Sequence, residues 1–437
     1  MPIRGDDAPL RGSYKGEYMY LSKEEEKNLS GEEGEPVAEA IDYMVKFGEA
    51  FDAERLLDIV YVHYPAEMAI YEGSVEDLME YAEKRPKVSV PTTSSTLCMD
   101  LDQWKAMGVP EELAIKQMEV VRPHKEMGVL GTYTCTPYLL GFIPPKDSYI
   151  ASVESSAVIY YNSMLGAWTN RGGILTKYSA VCGKYPEMGY MLKENRKGTH
   201  LFRIEVEKEN LQTFLDYNLL GIHVGSIVGS EVPVLDGIRT QKQEHIIGMG
   251  ATLATSGSVS LYHIPGITAE ANTIEDAFHG DCPKETFMVD VNDLNEARNQ
   301  VSTIDGGKVD FVLLGCPHYN LGQLRGVALM LQGKKIAKGV KLWVCTNRMT
   351  KLAAEWQGYA QMIEAAGGRV VCDSCPVESH MRSSTCKSYG LPTPYIEVMA
   401  TESGKMARYV KDLIGCETLL IDRKNCIKAA LKGRWGE

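Results

Sequence analysis

The stretch KVDFVLLGCPHYNL, residues 308–321, decides how this chain is read. From Val309 to Leu314 five of six residues are apolar, the signature of a buried strand. The chain then turns at Gly315 and presents Cys316, Pro317 and His318. Beyond this turn the pattern alternates: LGQLRGVALMLQG reads as a helix, KLWVCT as a strand, TKLAAEWQGYAQMIEAAGG as a helix, RVVCD as a strand and YIEVMA as a fourth strand. Strands and helices joined by short connections predict an α/β fold with a parallel sheet covered on both faces. Ligands bind such sheets at the carboxyl ends of the strands. Those ends carry Cys316, Cys345 and Cys375, and TESGK after the fourth strand brings Ser403 and Lys405 to the same edge.

Upstream, GVLGTYTCTPYL repeats the pattern, a strand-like run before Cys135 and Thr136 in a polar turn. VAEAIDYMVKFGEAF has the spacing of an amphipathic helix, and Ser74 with Asp77 forms an approximate capping box for another. Residues 1–16 read as a flexible extension, followed by lobes of about 17–130, 131–300 and 301–437.

The composition is that of an ordinary globular chain of 437 residues, with 44% hydrophobic and 24% charged residues. A net charge of −12 argues against a nucleic-acid partner, and no apolar run is long enough to span a membrane. The opening twenty residues lack the apolar segment of a secretory signal. With 11 cysteines, an odd number, the expected compartment is the reducing cytoplasm.

In such a compartment most cysteines are small buried hydrophobes, and Cys98, Cys182, Cys282, Cys386, Cys416 and Cys426 show nothing more. Cys345 and Cys372 sit inside apolar strand runs. Cys135, Cys316 and Cys375 differ, because each lies just past a strand end beside Thr, His or Asp. Their spacing matches no compact zinc or ferredoxin motif, and Cys372-x-x-Cys375 is an equally open metal or redox pair.

Eight stretches taken together resemble the large, catalytic part of the aconitase X family. They are MYLSKEEEKNLSGEEGE, VPTT, GTYTCTPYL, ESSAVIYYNSMLGAWTNRGG, GATLATSGSVSLYHIPGITAEA, LLGCPHYNL, CDSCPV and TESGK, in the family's order from about residue 17 to the end. The resemblance implies aconitase-like α/β lobes around a cleft and a hydro-lyase reaction, the dehydration of a small hydroxy acid. Known members act on cis-3-hydroxy-L-proline or 5-phosphomevalonate and use an iron–sulfur cluster or, in some cases, mononuclear iron. Cys135, Cys316 and Cys375 match the family's three cluster ligands, with [4Fe-4S] expected and [2Fe-2S] or a single iron as alternatives. Cys372 does not match a ligand position.

NSMLGAWTNR adds Asn162, Ser163, Thr169, Asn170 and Arg171, which with Thr136 form the expected substrate-binding set. Arg171 is the first choice for a bidentate grip on a carboxylate. Ser403, Lys405 and His318 are the expected catalytic groups, with support of the cysteine site as the other reading of His318. Glu154 is a candidate base, and His263 reads as structural. Three residues depart from the family pattern: Trp168 replaces an arginine, Glu402 an asparagine and Met191 a common histidine. The first two favour an amino acid such as cis-3-hydroxy-L-proline over 5-phosphomevalonate, since a carboxylate pairs with an ammonium and repels a phosphate. They also leave open a non-catalytic sensor on the same scaffold. The chain ends soon after the last shared motif, so the family's swivelling domain is expected on a separate small subunit.

Overall fold

The computed structural model describes residues 19–436 apart from Glu72 and Gln241; the expected extension over 1–16 lies outside the described residues. Three parallel sheets organise the chain. The largest has five strands, Phe311–Tyr319, Lys341–Thr346, Arg369–Val371, Val398–Thr401 and Glu417–Leu420. Their spatial order places Phe311–Tyr319 between Lys341–Thr346 and Val398–Thr401, so Phe311 lies level with both Lys341 and Met399. The chain winds outward first to one side of this central strand and then to the other. Such a reversal leaves a crevice at the carboxyl ends of the two strands that flank it.

Those two strands are the ones that carry Cys316 and lead into Ser403. The expected alternation of strands and helices is borne out here, with two differences of detail. The helix read over residues 350–368 is two helices, Arg348–Trp356 and Tyr359–Ala365, parted by Gly358 in the left-handed region at φ 77. The strand read as ending at Leu314 shifts register there and pairs again at Tyr319 with Thr346. Gly315 makes that shift: it adopts φ 88, and a Cβ on it would collide with the Cys345 backbone. Asn320 then caps the Leu321–Leu331 helix reciprocally with Gln323.

A second sheet pairs Val62–Tyr64 with Thr92–Ser94 and Ala151–Ser152, so it runs on past residue 130. A third pairs His200–Ile204 with Pro233–Asp236 and Glu285–Val289, backed by the packed helices Phe214–Val228 and Gln243–Gly257. GVLG before Cys135 is no strand; it makes one bridge, Leu130 to Thr93. Ser74 is the first residue of its helix rather than its cap. That helix follows Gly73 at φ 75, with no side-chain cap, because a capping hydroxyl must precede the first helical residue. One continuous core joins the second sheet to one face of the five-stranded one, through Val62, Phe311, Leu313, Trp343 and Val371. No helix among the described residues is long and apolar enough to cross a membrane.

Candidate active site

Cys316 comes from the far end of the Phe311–Tyr319 strand and Cys135 and Cys375 from two loops, and the fold ties the three to one another. Leu97, just beyond the second sheet, accepts from the Cys375 N–H at 3.2 Å and donates to Asp373. Thr132 and Tyr133, leading to Cys135, bond Ser94 on the same edge. His318 completes the tie: its N–H donates to Cys135 Sγ at 3.4 Å, Nδ1 meets Thr134 Oγ1 at 3.0 Å, and Nε2 donates to the Ser374 carbonyl at 3.1 Å. Burial holds this imidazole neutral, at about 4. Both ring nitrogens are engaged, which fits the supporting role and leaves none to carry a proton to a substrate.

All eleven cysteines are free thiols. Burial pushes the Cys135 thiol up to about 12 and raises Cys316 and Cys375 as well, while the Lys405 ammonium pulls all three down. The Ser403 hydroxyl donates to Cys316, and its oxygen accepts from Met406 N–H at 3.0 Å as a helix cap. Three partly buried thiols, two of them with a donor aimed at the sulfur (the His318 N–H at Cys135 and the Ser403 hydroxyl at Cys316), suit a cationic centre bound by thiolates, since metal coordination deprotonates a thiol outright.

Cys372 stands apart. Its sulfur, with Asp100 and Asp373, forms a compact acidic group, but Lys351 pairs with Asp100 at 3.2 Å and Arg348 pairs with Asp373. An ammonium and a guanidinium already neutralise those carboxylates, so this place is complete without a metal, and the Cys372-x-x-Cys375 pairing is not formed.

Beside Cys375 opens a cavity of about 500 Å³ lined by Glu67, Tyr71, Glu154, Ser155, Arg171, Glu378, Arg382 and Lys405, among others. Lys405 Nζ lies 2.6 Å from Glu154 and 3.2 Å from Ser155 Oγ. Burial opposes the Glu154 charge, yet the Lys405 ammonium and the Ser156 donors outweigh it and hold the carboxyl at about 2. Glu154 is therefore an ion-pair partner rather than a base. Arg171 is exposed on the cavity and makes no ion pair among the described residues, so its fork is free for an anion.

The other expected substrate-binding residues are used inside the protein. Asn162 bonds the Thr169 and Ser260 backbones and Arg196, Ser163 accepts from Tyr262 N–H, and Thr169 donates to the Asn170 carbonyl. Asn170 bonds Met188 and Tyr190, and buried Thr136 is held by Thr134. None of these five lines the cavity. Their polar groups satisfy buried backbone and fix the loop that presents Arg171. His263 is structural as expected, its Nε2 donating to the Arg196 carbonyl at 2.7 Å.

The residues that favoured an amino-acid substrate are also misplaced for that role. Glu402 is buried against Tyr319 and ion-paired with Arg423 at 2.9 Å, so it cannot greet an ammonium. Trp168 stacks on Arg196 at 4.6 Å and lines a different, wider cavity of about 1180 Å³. Met191 is core. Sequence reading missed Glu67, Tyr71, Glu378 and Arg382. The i,i+4 pair Glu378–Arg382 just after Cys375 was the one available signal.

Family profiles described as aconitase X first, second and third domain match residues 18–194, 198–299 and 309–432. The chain belongs to the aconitase X family. Among aconitase X proteins it is 38% identical to the phosphomevalonate dehydratase large subunit of Methanothermobacter thermautotrophicus, over 94% of this chain and 98% of that protein. It is 30% identical to the cis-3-hydroxy-L-proline dehydratase of Pseudomonas aeruginosa, over 93% of this chain but 69% of that longer protein. The crystal structure of Thermococcus kodakaraensis aconitase X (holo-form) superposes with a TM-score of 0.82 at 34% identity, covering 94% of this chain and all of that one. These relatives are dehydratases, and this aconitase X chain is an enzyme of the hydro-lyase class.

Proposed function

We propose that this chain is the large subunit of a phosphomevalonate dehydratase, with an iron–sulfur cluster held by Cys135, Cys316 and Cys375. The reading rests on one observation above others: Cys375, the buried Lys405 and Arg171, which makes no ion pair among the described residues, face a single cavity. The substrate follows the relatives named large subunits, and the loss of Trp168 and Glu402 from the cavity removes the case for an amino acid.

When bound, such a cluster supplies a Lewis acid that eases departure of a hydroxyl group. The chain's own residues do the rest. Arg171 grips an anionic group of the substrate by a bidentate contact. Lys405, kept charged by Glu154, adds positive potential where negative charge develops next to a carboxylate. His318 and Ser403 hold the sulfurs in place through their hydrogen bonds.

The partner is a separate small subunit that closes the cavity. The test is anaerobic co-purification with that subunit, followed by dehydration assays on 5-phosphomevalonate and cis-3-hydroxy-L-proline. The expected result is loss of one water from 5-phosphomevalonate by the assembled pair and negligible turnover by this chain alone. Turnover confined to cis-3-hydroxy-L-proline, or full activity without a partner, overturns the reading.

A further inference from the structure

Another cavity, of about 530 Å³, lies just beyond the carboxyl ends of the His200–Ile204 and Pro233–Asp236 strands. Ligands bind parallel sheets at this edge. None of the residues that line it lines the cavity beside Cys375. Its walls include Val206, Leu211 and Tyr217, whose ring stacks on His245 with centroids 4.6 Å apart. Arg239 and Lys242 also line it; both are exposed, and neither makes an ion pair among the described residues.

The chain arrives here through Gly237, whose φ of 103 lets the backbone pass the Ile204 carbonyl; a Cβ there would stand 2.7 Å from that oxygen. Lys242 then starts the 15-residue helix Gln243–Gly257 without a side-chain cap. The Gln243 and Glu244 N–H groups have no acceptor among the described residues. Free N–H groups at a helix start favour an oxyanion. His245 points the same way independently. It is 3% exposed, it lines the cavity, and its Nδ1 meets Thr240 Oγ1 at 3.2 Å, but no hydrogen bond reaches Nε2 among the described residues. A buried ring nitrogen beside a cavity and without a protein partner is one that a ligand can satisfy. The nearby carboxylates are already engaged. Asp216 accepts from the Gln212 and Thr213 N–H groups, and Glu244 pairs with Arg423 at 3.6 Å.

We propose that this cavity binds a small organic phosphate, a phosphomonoester with an apolar body. Arg239 and Lys242 supply its counter-charge, the helix start and His245 Nε2 supply donors, and Tyr217, Val206 and Leu211 take the apolar body. The site is distinct from the cavity beside Cys375, and it does not depend on the dehydratase reading.

The probe is n-butyl phosphate, titrated calorimetrically into the full chain. Arg171 also offers a fork to an anion, so the titration is run on Arg171→Ala, where one equivalent should still bind with Kd of about 1 mM or tighter. Inorganic phosphate, without an alkyl body, should bind at least about threefold more weakly, and n-butanol should not bind. Adding Arg239→Ala and Lys242→Ala should weaken n-butyl phosphate at least about tenfold. The thermal midpoint without ligand should stay unchanged, and Arg239→Lys with Lys242→Arg should recover part of the affinity. Absence of binding to Arg171→Ala at about 10 mM, or binding indifferent to the paired alanines, overturns the proposal. Equal affinity for n-butyl phosphate and inorganic phosphate overturns the apolar half of it. If n-butyl phosphate does not bind while the paired alanines weaken association with the small subunit, the basic residues serve a protein interface and the proposal falls.

Discussion

At the scale of single residues, position along the chain says little about what a side chain does. Cys372 and Cys375 are neighbours in sequence, yet one faces Lys351 and Asp100 and the other the cavity. Replacing Cys135, Cys316 or Cys375 with serine should each strip iron from anaerobically purified protein, whereas Cys372→Ser should keep it; iron assay and visible absorbance measure this. Equal loss at Cys372 would restore the C-x-x-C pair. Lys405 and Glu154 form a buried pair, with side-chain exposures of 10% and 18%. Lys405→Met strands a carboxylate, so stability should drop by about 3–5 kcal/mol in denaturant titration. Adding Glu154→Gln should recover much of that, since the stranded charge is then gone. A Lys405→Met protein as stable as the wild type would show the pair to be solvated.

Elements fix the site through a few backbone constraints. The Phe311–Tyr319 strand delivers Cys316 only because Gly315 bends it against Cys345. Gly315→Ala adds a Cβ where φ is 88 and the neighbouring carbonyl leaves no room. It should cost about 3 kcal/mol or more and lower iron loading, because strain and overlap add. Gly326, inside the Leu321–Leu331 helix, meets nothing within 4 Å, and Gly326→Ala should stabilise by about 0.5–1 kcal/mol. Denaturation midpoints of the two variants, moving in opposite directions, check the contrast. The element pattern of the last third was legible from periodicity alone. The capping of the Ser74–Glu83 helix and the break at Gly358 were not, because each depends on one residue's φ.

The whole molecule carries a pH dependence that its parts do not announce. His63 and His124 are fully buried, and burial lowers their imidazoles to about 4 and about 3. His124 has no hydrogen-bond partner for either ring nitrogen among the described residues, so a charge there would be unsupported. The unfolded chain protonates them near 6.5, and the fold resists until near 4 or below. As pH falls through that window the unfolded state binds more protons, so stability is complete above about 6.5 and falls by up to about 1.4 kcal/mol per pH unit for each histidine. Urea midpoints at about pH 7.5 and about pH 5 test this, and His124→Phe should flatten the slope. An unchanged slope would mean that His124 is hydrated.

The sequence by itself determined the strand and helix alternation, the free-thiol chemistry and, through its ordered motifs, the resemblance to aconitase X. These depend on local pattern: apolar period sets the elements, and residue type sets what a thiol or an arginine is able to do. The tertiary structure alone decided which polar residues are free. Asn162, Ser163, Thr169, Asn170 and Glu402 looked like ligands for a substrate, but folding gave each a partner within the protein. Glu67, in a stretch without motif, became the cavity carboxyl without a cation because residues far away in sequence, Arg382 and Lys405, were claimed by Glu378 and Glu154. Whether a charge is spent or available is a property of its neighbours in space, and the chain sets those only when it closes.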